Sequence, residues 1–363
     1  MILIYFIFLF MILRFTVTLF NFISNPKLTI APRSYDEFVS ILIPARNKER
    51  NILDLLQSIR GQEYSNYEVI ILDDHSTDET LAVCRKFCEG DKRFRVVSGK
   101  DIPAGWQGKN YACYQLAEHA RGAFLMFLDA DGIVNDGLIN NSIHRMKFYR
   151  LDLLSLFANQ LMISWGERVI VPLIHFILLN LLPLRLVRLS KSPAFSTASG
   201  QFMLFSTSSY QENQWHELVR ERVVEDIEIM KLLKASGLRG ETLLANRYIF
   251  YRTYRNFSEA FRGFSKNFFA GFNNNVIGLF LYLFLVILGP LAIAYILSAE
   301  LLFFALSLIV LSRVMISLMS GQNVWLNILL HPIQMALMIF LAVVSVNNYF
   351  TKIPAWKGRT IKN

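Results

Sequence analysis

Residues Ala123-Phe124-Leu125-Met126-Phe127-Leu128-Asp129-Ala130-Asp131-Gly132 decide how this chain folds. The apolar run 123–128 has the length of one strand, and it stops at two carboxylates separated by a single residue. Upstream the same grammar repeats. Strand signals at 39–44, 68–72 and 94–97 alternate with helical patterns at 50–62, 78–89 and 110–120. Strand, helix, strand in succession implies an α/β fold built on a doubly wound, mostly parallel sheet. Such sheets take ligands beyond the carboxyl ends of their strands, so chemistry is expected just after each apolar run.

Asp129 and Asp131 stand at such a place. In extended backbone, residues two apart project to the same side, so both carboxylates could face one divalent cation. Oxygen ligands there suit Mg²⁺ or Mn²⁺ bridging phosphates, whereas a lone Asp-x-Asp in a solvated loop is the bland alternative. About 55 residues earlier, Asp73-Asp74-His75-Ser76-Thr77-Asp78 closes the second strand. It places acids where a base and ribose would enter, and it equally fits an ordinary turn and helix cap. Between the two lies Gly105-Trp106-Gln107-Gly108-Lys109-Asn110, read as a flexible loop that delivers one cation before a helix. It is no Walker A loop, because the glycine spacing fails and Asn110 stands where Ser or Thr is required. Further on, Val223-Val224-Glu225-Asp226-Ile227-Glu228 sets acids on a half-buried helical stretch, and Ser199-Gly200-Gln201-Phe202 forms a small-residue turn.

Composition excludes an ordinary soluble enzyme of this size. The 363 residues are 53% hydrophobic and 18% charged, with mean hydropathy +0.36, so part of the chain belongs in lipid. Residues 1–23 are apolar except for Arg14 and lack a small-residue cleavage site, which reads as an uncleaved anchor rather than a signal peptide. Lys27 and Arg33 follow it and place its C-terminal side in the cytoplasm. Further candidate spans lie at 276–297, 300–319 and 328–348. The run 169–187 is interrupted by Pro172, His175, Asn180, Pro183 and Arg185 and reads as an interfacial or re-entrant pair of short helices. A full crossing there would separate acids that are expected to share one site. Lys352, Lys357, Arg359 and Lys362 argue for a cytoplasmic tail, so one of the three later segments is expected to be re-entrant, 300–319 with Arg313 being the candidate.

Net charge is +9 and the pI is near 9.4. These charges suit anionic headgroups or a phosphorylated substrate, and no nucleic-acid partner is expected because no such module signature appears. Cys84, Cys88 and Cys113 form no disulfide framework and no complete zinc set, which fits a reducing compartment.

Taken in order, Ile43-Pro44-Ala45-Arg46-Asn47, Asp73-Asp74, Gly108-Lys109, Asp129-Ala130-Asp131 and Glu225-Asp226 resemble the family 2 glycosyltransferases of GT-A fold, over residues 39 to about 270. Gly105 to Gln115 and the terminal Trp356-Lys357-Gly358-Arg359-Thr360 look most like membrane lipid glycosyltransferases, such as ceramide, hopanoid-pathway and diaponeurosporenoate (carotenoid) glycosyltransferases. The resemblance implies a GT-A catalytic domain at 36–270 with an apolar segment at 161–190, an anchor at 1–23, transmembrane helices within 276–350 and a basic tail at 351–363. It implies an enzyme of the cell (inner) membrane, its catalytic domain cytoplasmic, moving a sugar from a nucleotide diphosphate-sugar, a UDP-sugar by expectation, to a lipid or amphipathic acceptor with inversion. By the same resemblance, Pro44, Ala45, Arg46, Asn47, Asp73, Asp74, Lys109 and Asp129 face the donor. Asp129 and Asp131 hold Mg²⁺ or Mn²⁺, Asp226 is the general base with Glu225 beside it, and Gly200, Gln201 and Arg262 lie on the acceptor side.

One departure matters. Processive synthases of the family carry Gln-x-x-Arg-Trp, where the growing sugar stacks on the Trp, and this chain has Glu259-Ala260-Phe261-Arg262-Gly263. Single transfer is therefore expected over polymer synthesis. From another class, a membrane scaffold or transporter with a regulatory α/β domain would call for more spans and an internal repeat, and neither is evident.

Overall fold

The computed structural model describes residues 2–290, 299–351, 355–356 and 359–360. Residues 291–298 of the expected 276–297 span lie outside the described residues, as do Lys352, Lys357, Gly358 and Lys362 of the basic tail. The chain forms two compact units. One comprises Pro26–Leu161 and Arg185–Arg252, the other Met1–Asn25, Met162–Leu184 and Thr253–Asn363.

The first unit is the α/β part. Its strands are β1 (Val39–Ala45), β2 (Tyr67–Asp73), β3 (Phe94–Ser98), β4 (Phe124–Leu128), β5 (Gly132–Val134), β6 (Leu153–Phe157), β7 (Asn159–Gln160), β8 (Phe202–Ser206), β9 (Gly240–Leu244) and β10 (Ile249–Tyr251). Seven of them make one sheet in the order β3-β2-β1-β4-β8-β6-β9, and β5-β10-β7 make a second, smaller one. In the large sheet only β8 runs against its neighbours β4 and β6, and every other pairing is parallel. The GT-A type α/β fold with a mostly parallel sheet is thereby present, and β1 to β4 fall where the apolar runs stand. Strands β2 and β6 are buried at every residue, as befits a sheet covered on both faces. Pro44 is tolerated in central β1 because the ladder to β4 covers only Val39 to Leu42, so its missing N–H breaks no bond there.

Two local features position the site. A Cβ on Gly122 would lie 2.4 Å from the Ser40 backbone nitrogen, so only glycine lets the chain enter β4 this close to β1. In the β4–β8 register Leu128 faces Phe202, and the Asp129 N–H donates to the Gln201 carbonyl at 3.2 Å. The metal-type acids and the Ser199–Phe202 turn are therefore adjacent rungs of one ladder. The turn leads into strand β8.

The second unit is helical. Helices Leu3–Ser24, Ala299–Ser320 and His331–Phe350 are long and apolar enough to cross a membrane, and the pair Phe257–Phe272 and Val276–Leu288, bent by 109°, adds a fourth crossing if it counts as one span. These helices mark a membrane protein. The run 169–187 breaks into short helices, Trp165–Ile170 and Pro172–Leu181 in this unit and Arg185–Leu189 in the other. The expected re-entrant break at 300–319 is absent. Ala299–Ser320 is one helix of 22 residues with no proline or glycine, and the bend falls at Asn273-Asn274-Asn275 instead, where Asn273 and Asn274 take left-handed φ near 55°. Gly166 is pressed so closely on Phe257 that a Cβ would stand 2.4 Å from its backbone nitrogen.

Candidate functional site

The site assembles at the carboxyl ends of β1, β2 and β4 and the amino end of helix Glu225–Ala235. At its centre is the Lys109 ammonium. It lies 3.0 Å from Asp129 Oδ1 and 3.0 Å from Glu225 Oε1, and it donates to the Gly200 carbonyl at 3.1 Å. A lysine in a flexible loop was the expectation, but the loop is pinned. Asn110, 1% exposed, donates from its side chain to the carbonyls of Val219 and Arg222, and Trp106 packs against Tyr111 and Tyr114 at 5.2 Å. Burial alone would depress the Lys109 pKa, but Asp129 and Glu225 outweigh it and hold the ammonium well above its ordinary value.

Glu225 and Asp226 open their helix, where the orphan N–H groups favour carboxylates. Asp226 Oδ2 accepts the Gly200 N–H at 2.7 Å and its Oδ1 accepts the Ile227 N–H at 2.8 Å. Burial, with the Glu225 charge second, raises the Asp226 carboxyl from 3.8 to about 7 despite Lys109 nearby. Glu228 faces away and pairs with Lys231 at 2.7 Å. Gly200 makes room for this packing, since a Cβ there would stand 2.8 Å from Lys109 Nζ and 3.0 Å from Glu225 Oε1, so the lysine tip would have to give way.

Asp129 and Asp131 each hold a different lysine. Asp131 Oδ2 lies 2.5 Å from Lys48 Nζ, while Asp129 is taken by Lys109. Burial raises the Asp129 pKa, Lys109 opposes the rise, and the Asp131 charge adds to it, so the two carboxylates feel one another. Among the described residues no group of three or more His, Cys, Asp or Glu side chains is arranged to hold a metal ion by itself.

On the opposite side of the crevice, Asp73 and Asp74 are buried at the end of β2. Asp73 Oδ2 accepts the Ser76 N–H at 3.3 Å, while its Oδ1 is buried with no hydrogen-bond partner. Arg46 Nη1 donates to the Asp74 carbonyl at 2.8 Å, and the Asp74 N–H donates to the Ala45 carbonyl at 2.8 Å. Asn47, at φ 51°, accepts the Thr77 N–H through its side chain at 2.8 Å and ties the β1 and β2 loops together. Pro44 lines the same small cavity as Lys109, Asp129, Gly200 and Glu225.

Two residues of this constellation escape sequence reasoning. Lys48 is the partner of Asp131, and its signal was its place just beyond Arg46-Asn47. Tyr251, fully buried, has its hydroxyl within 3.0 Å of the Asp129 carbonyl and 2.9 Å of the Gln201 carbonyl, and its ring lies where a Cβ on Gly132 would fall. Nothing local marks it, because it arrives from more than a hundred residues away on β10. Arg262, the remaining expected residue, belongs to the helical unit. It lies exposed on helix Phe257–Asn267 of the helical unit. There a Cβ on Gly263 would meet the Tyr254 ring at 2.3 Å.

A mostly parallel sheet with β8 reversed, carrying acids at the ends of β2 and β4, is an α/β sheet of GT-A type. Residues 40–213, just under half of the chain, match the family model described as glycosyl transferase family 2, so the chain carries a family 2 glycosyltransferase domain there. It is 27% identical over 243 residues to a 4,4'-diaponeurosporenoate glycosyltransferase of Staphylococcus haemolyticus, a match that covers 64% of this chain and 61% of that protein. The enzyme of that name from Staphylococcus aureus is 43% identical over 93 residues, 26% of this chain and 24% of the relative. The matches thus span less than two thirds of either relative's length. The fold is similar to that of a mannosyltransferase from Pyrobaculum calidifontis solved with GDP-Man and Mn²⁺, with TM-score 0.55 at 15% identity over 95% of this chain and 99% of that one.

Proposed function

We propose that the chain transfers a glycosyl group from a nucleoside diphosphate-sugar, a UDP-sugar by expectation, to a lipid or amphipathic acceptor at the cytoplasmic face of the inner membrane, by single displacement with inversion. The observation that carries this reading is the Lys109 ammonium, which holds Asp129 and Glu225 at 3.0 Å each and so sets the leaving-group acids and the base motif in one site. Residues 36–270 are the proposed catalytic domain, 1–23 and 276–350 the membrane part, and 351–363 a basic tail.

Asp73 Oδ1, buried without a partner, suits an N–H of the donor base, and Arg46 and Asn47 fix the loop around it. Asp129 and Asp131 are a donor set for Mg²⁺ or Mn²⁺, since in such sites one or two carboxylates suffice and water and phosphate oxygens complete the shell. When bound, the ion acts as a Lewis acid that offsets charge on the departing nucleoside diphosphate. Asp226 stands with its two oxygens oriented by Gly200 and Ile227, and its raised pKa suits a base working near neutrality. As the acceptor oxygen bonds to the anomeric carbon and the bond to the diphosphate breaks, the acceptor's proton passes to Asp226. The acceptor's hydroxyl is proposed to meet the Gly200–Gln201 turn, and the broken apolar segment 161–190 is proposed as the interfacial part that lets its apolar portion stay in lipid. Gly263, where processive synthases carry a Trp, offers no ring for a growing sugar to stack on, which favours a single transfer.

Mass spectrometry of membrane lipids from cells carrying the wild type or Asp129→Ala tests this. A lipid that gains one sugar only with the wild type is expected, and nucleoside diphosphate rather than pyrophosphate should be released. Excess chelator should abolish turnover. Full turnover in chelator would remove the metal from the account, and a soluble sugar serving as well as a membrane extract would remove the lipid.

A further inference from the structure

The helical unit holds two guanidinium groups, one half-buried and one fully buried, with no carboxylate paired to either among the described residues. Arg14 lies near the middle of helix Ile2–Ser24, and Arg313, 1% exposed, lies in helix Ala299–Ser320. Both face one ring, with guanidinium carbons 5.2 Å and 4.5 Å from the centre of Phe176. Arg14 Nε donates to Asn180 Oδ1 at 3.2 Å. Arg313 Nε and Nη2, and His331 Nδ1 beside the same ring, are buried with no hydrogen-bond partner.

The unit's sequence contains only three acids, and each is otherwise engaged or distant. Glu167 accepts the N–H groups of Ile163 and Ser164 in a capping box, and Glu259 accepts from Arg255 and Asn256. Glu300 is thirteen residues from Arg313 on the same helix, about 20 Å along its axis. The cluster therefore carries two positive charges in apolar surroundings, an arrangement costly enough to call for a counter-charge from outside the chain.

The helices say where that charge arrives. Ile7 and Met11 cluster with Ala305, and Arg14 lines one cavity with Ser312, so the two helices run side by side in the same direction. Arg313 lies about 10 Å and Arg14 about 15 Å from the shared end of the pair, within one leaflet. That cavity holds ≈ 30 Å³, space for the oxygens of a headgroup; Arg14 lines it directly and Arg313 lies behind its Phe176 wall, while Met11, Val286 and Leu308 suit an apolar chain rather than a hydrated ion.

We propose that Arg14 and Arg313 bind the oxyanion of an anionic lipid, a carboxylate or phosphate carried on an apolar chain and drawn into the leaflet against Phe176. The proposal stands apart from the transfer chemistry, because it concerns only what neutralises the helical unit.

Native mass spectrometry of the full-length protein in neutral detergent, offered phosphatidylcholine, phosphatidylglycerol, oleate or inorganic phosphate, tests it. The wild type should retain one anionic lipid, phosphatidylglycerol or oleate, about tenfold more tightly than phosphatidylcholine. Arg313→Gln and Arg14→Gln should each lose that preference, and Arg313→Lys should keep part of it. Should a glutamine variant fail to fold, the wild-type competition decides alone. Equal retention of phosphatidylcholine and phosphatidylglycerol, inorganic phosphate competing as well as the lipids, or an undiminished preference in both folded glutamine variants would each overturn the proposal.

Discussion

The α/β unit buries two charged clusters, and they are opposites. At the carboxyl ends of the strands, three carboxylates, Asp129, Glu225 and Asp226, gather around one ammonium, Lys109. At the amino end of β9, one carboxylate, Glu241, fully buried, faces three guanidinium groups. Arg145 grips it with two bonds of 2.5 and 2.7 Å, Arg188 adds one at 2.9 Å, and both stack on Tyr149. The Glu241 carboxylate is saturated with donors and has no capacity left for a reactant. The Lys109 cluster is short of cations, and the shortage shows in Asp226, which burial and Glu225 push up to about 7. Buried charge alone does not mark function. A deficit of counter-charge beside a cavity at the strand ends is the better pointer.

Substitutions should separate the two. The largest effect is expected for Asp226→Asn, which keeps the size of the side chain but only one of its two acceptor oxygens and cannot take a proton, so turnover should fall by roughly 10² to 10⁴ with donor binding little changed. If Glu225→Gln were the damaging change and Asp226→Asn were not, the base would be Glu225. Glu241→Gln should act through stability instead. It leaves three guanidinium groups underpaired and should cost about 3–5 kcal/mol in unfolding measurements, with residual activity tracking the folded fraction. Gly200→Ala should be milder. The new methyl meets the tip of Lys109, which can shift by tenths of an ångström, so a turnover loss of about tenfold with unchanged thermal stability is expected.

The clusters also differ in how they can be read from sequence. The ordered motifs Asp73-Asp74, Lys109, Asp129-Ala130-Asp131 and Glu225-Asp226 follow apolar runs or precede helices, so topology alone brings them to one edge. Strands β1 to β4 were legible for the same reason, being continuous apolar runs between turn signals. Strand β8 was not, because its reversal is set by pairing with β4 and β6 rather than by local residues. Lys48, Tyr251 and the arginines around Glu241 were equally hidden, since a side chain's partner across the sheet leaves no trace in its own neighbourhood. In the helical unit, spans were visible from hydropathy, whereas the 109° bend rests on two asparagines in left-handed conformation.

A smaller effect follows from linkage. A carboxyl raised from 3.8 to about 7 in the folded protein favours its protonated form, so Asp226 contributes stability that is fully present below about pH 4 and is lost as pH rises through about 7. Thermal unfolding of wild type and Asp226→Asn across pH 5 to 8 should show the wild type losing stability relative to the variant as pH increases.

The most direct test of Asp226 as the base is the pH dependence of turnover, with donor, acceptor and Mn²⁺ saturating. The wild type should gain rate with an apparent pKa near 7 and then level off, as a base that must be ionised requires. Asp226→Asn should be slow throughout and lack that rise. An unchanged rise in Asp226→Asn, at near wild-type rate, would contradict the account and show that the acceptor reaches the site with no proton for this carboxylate to take.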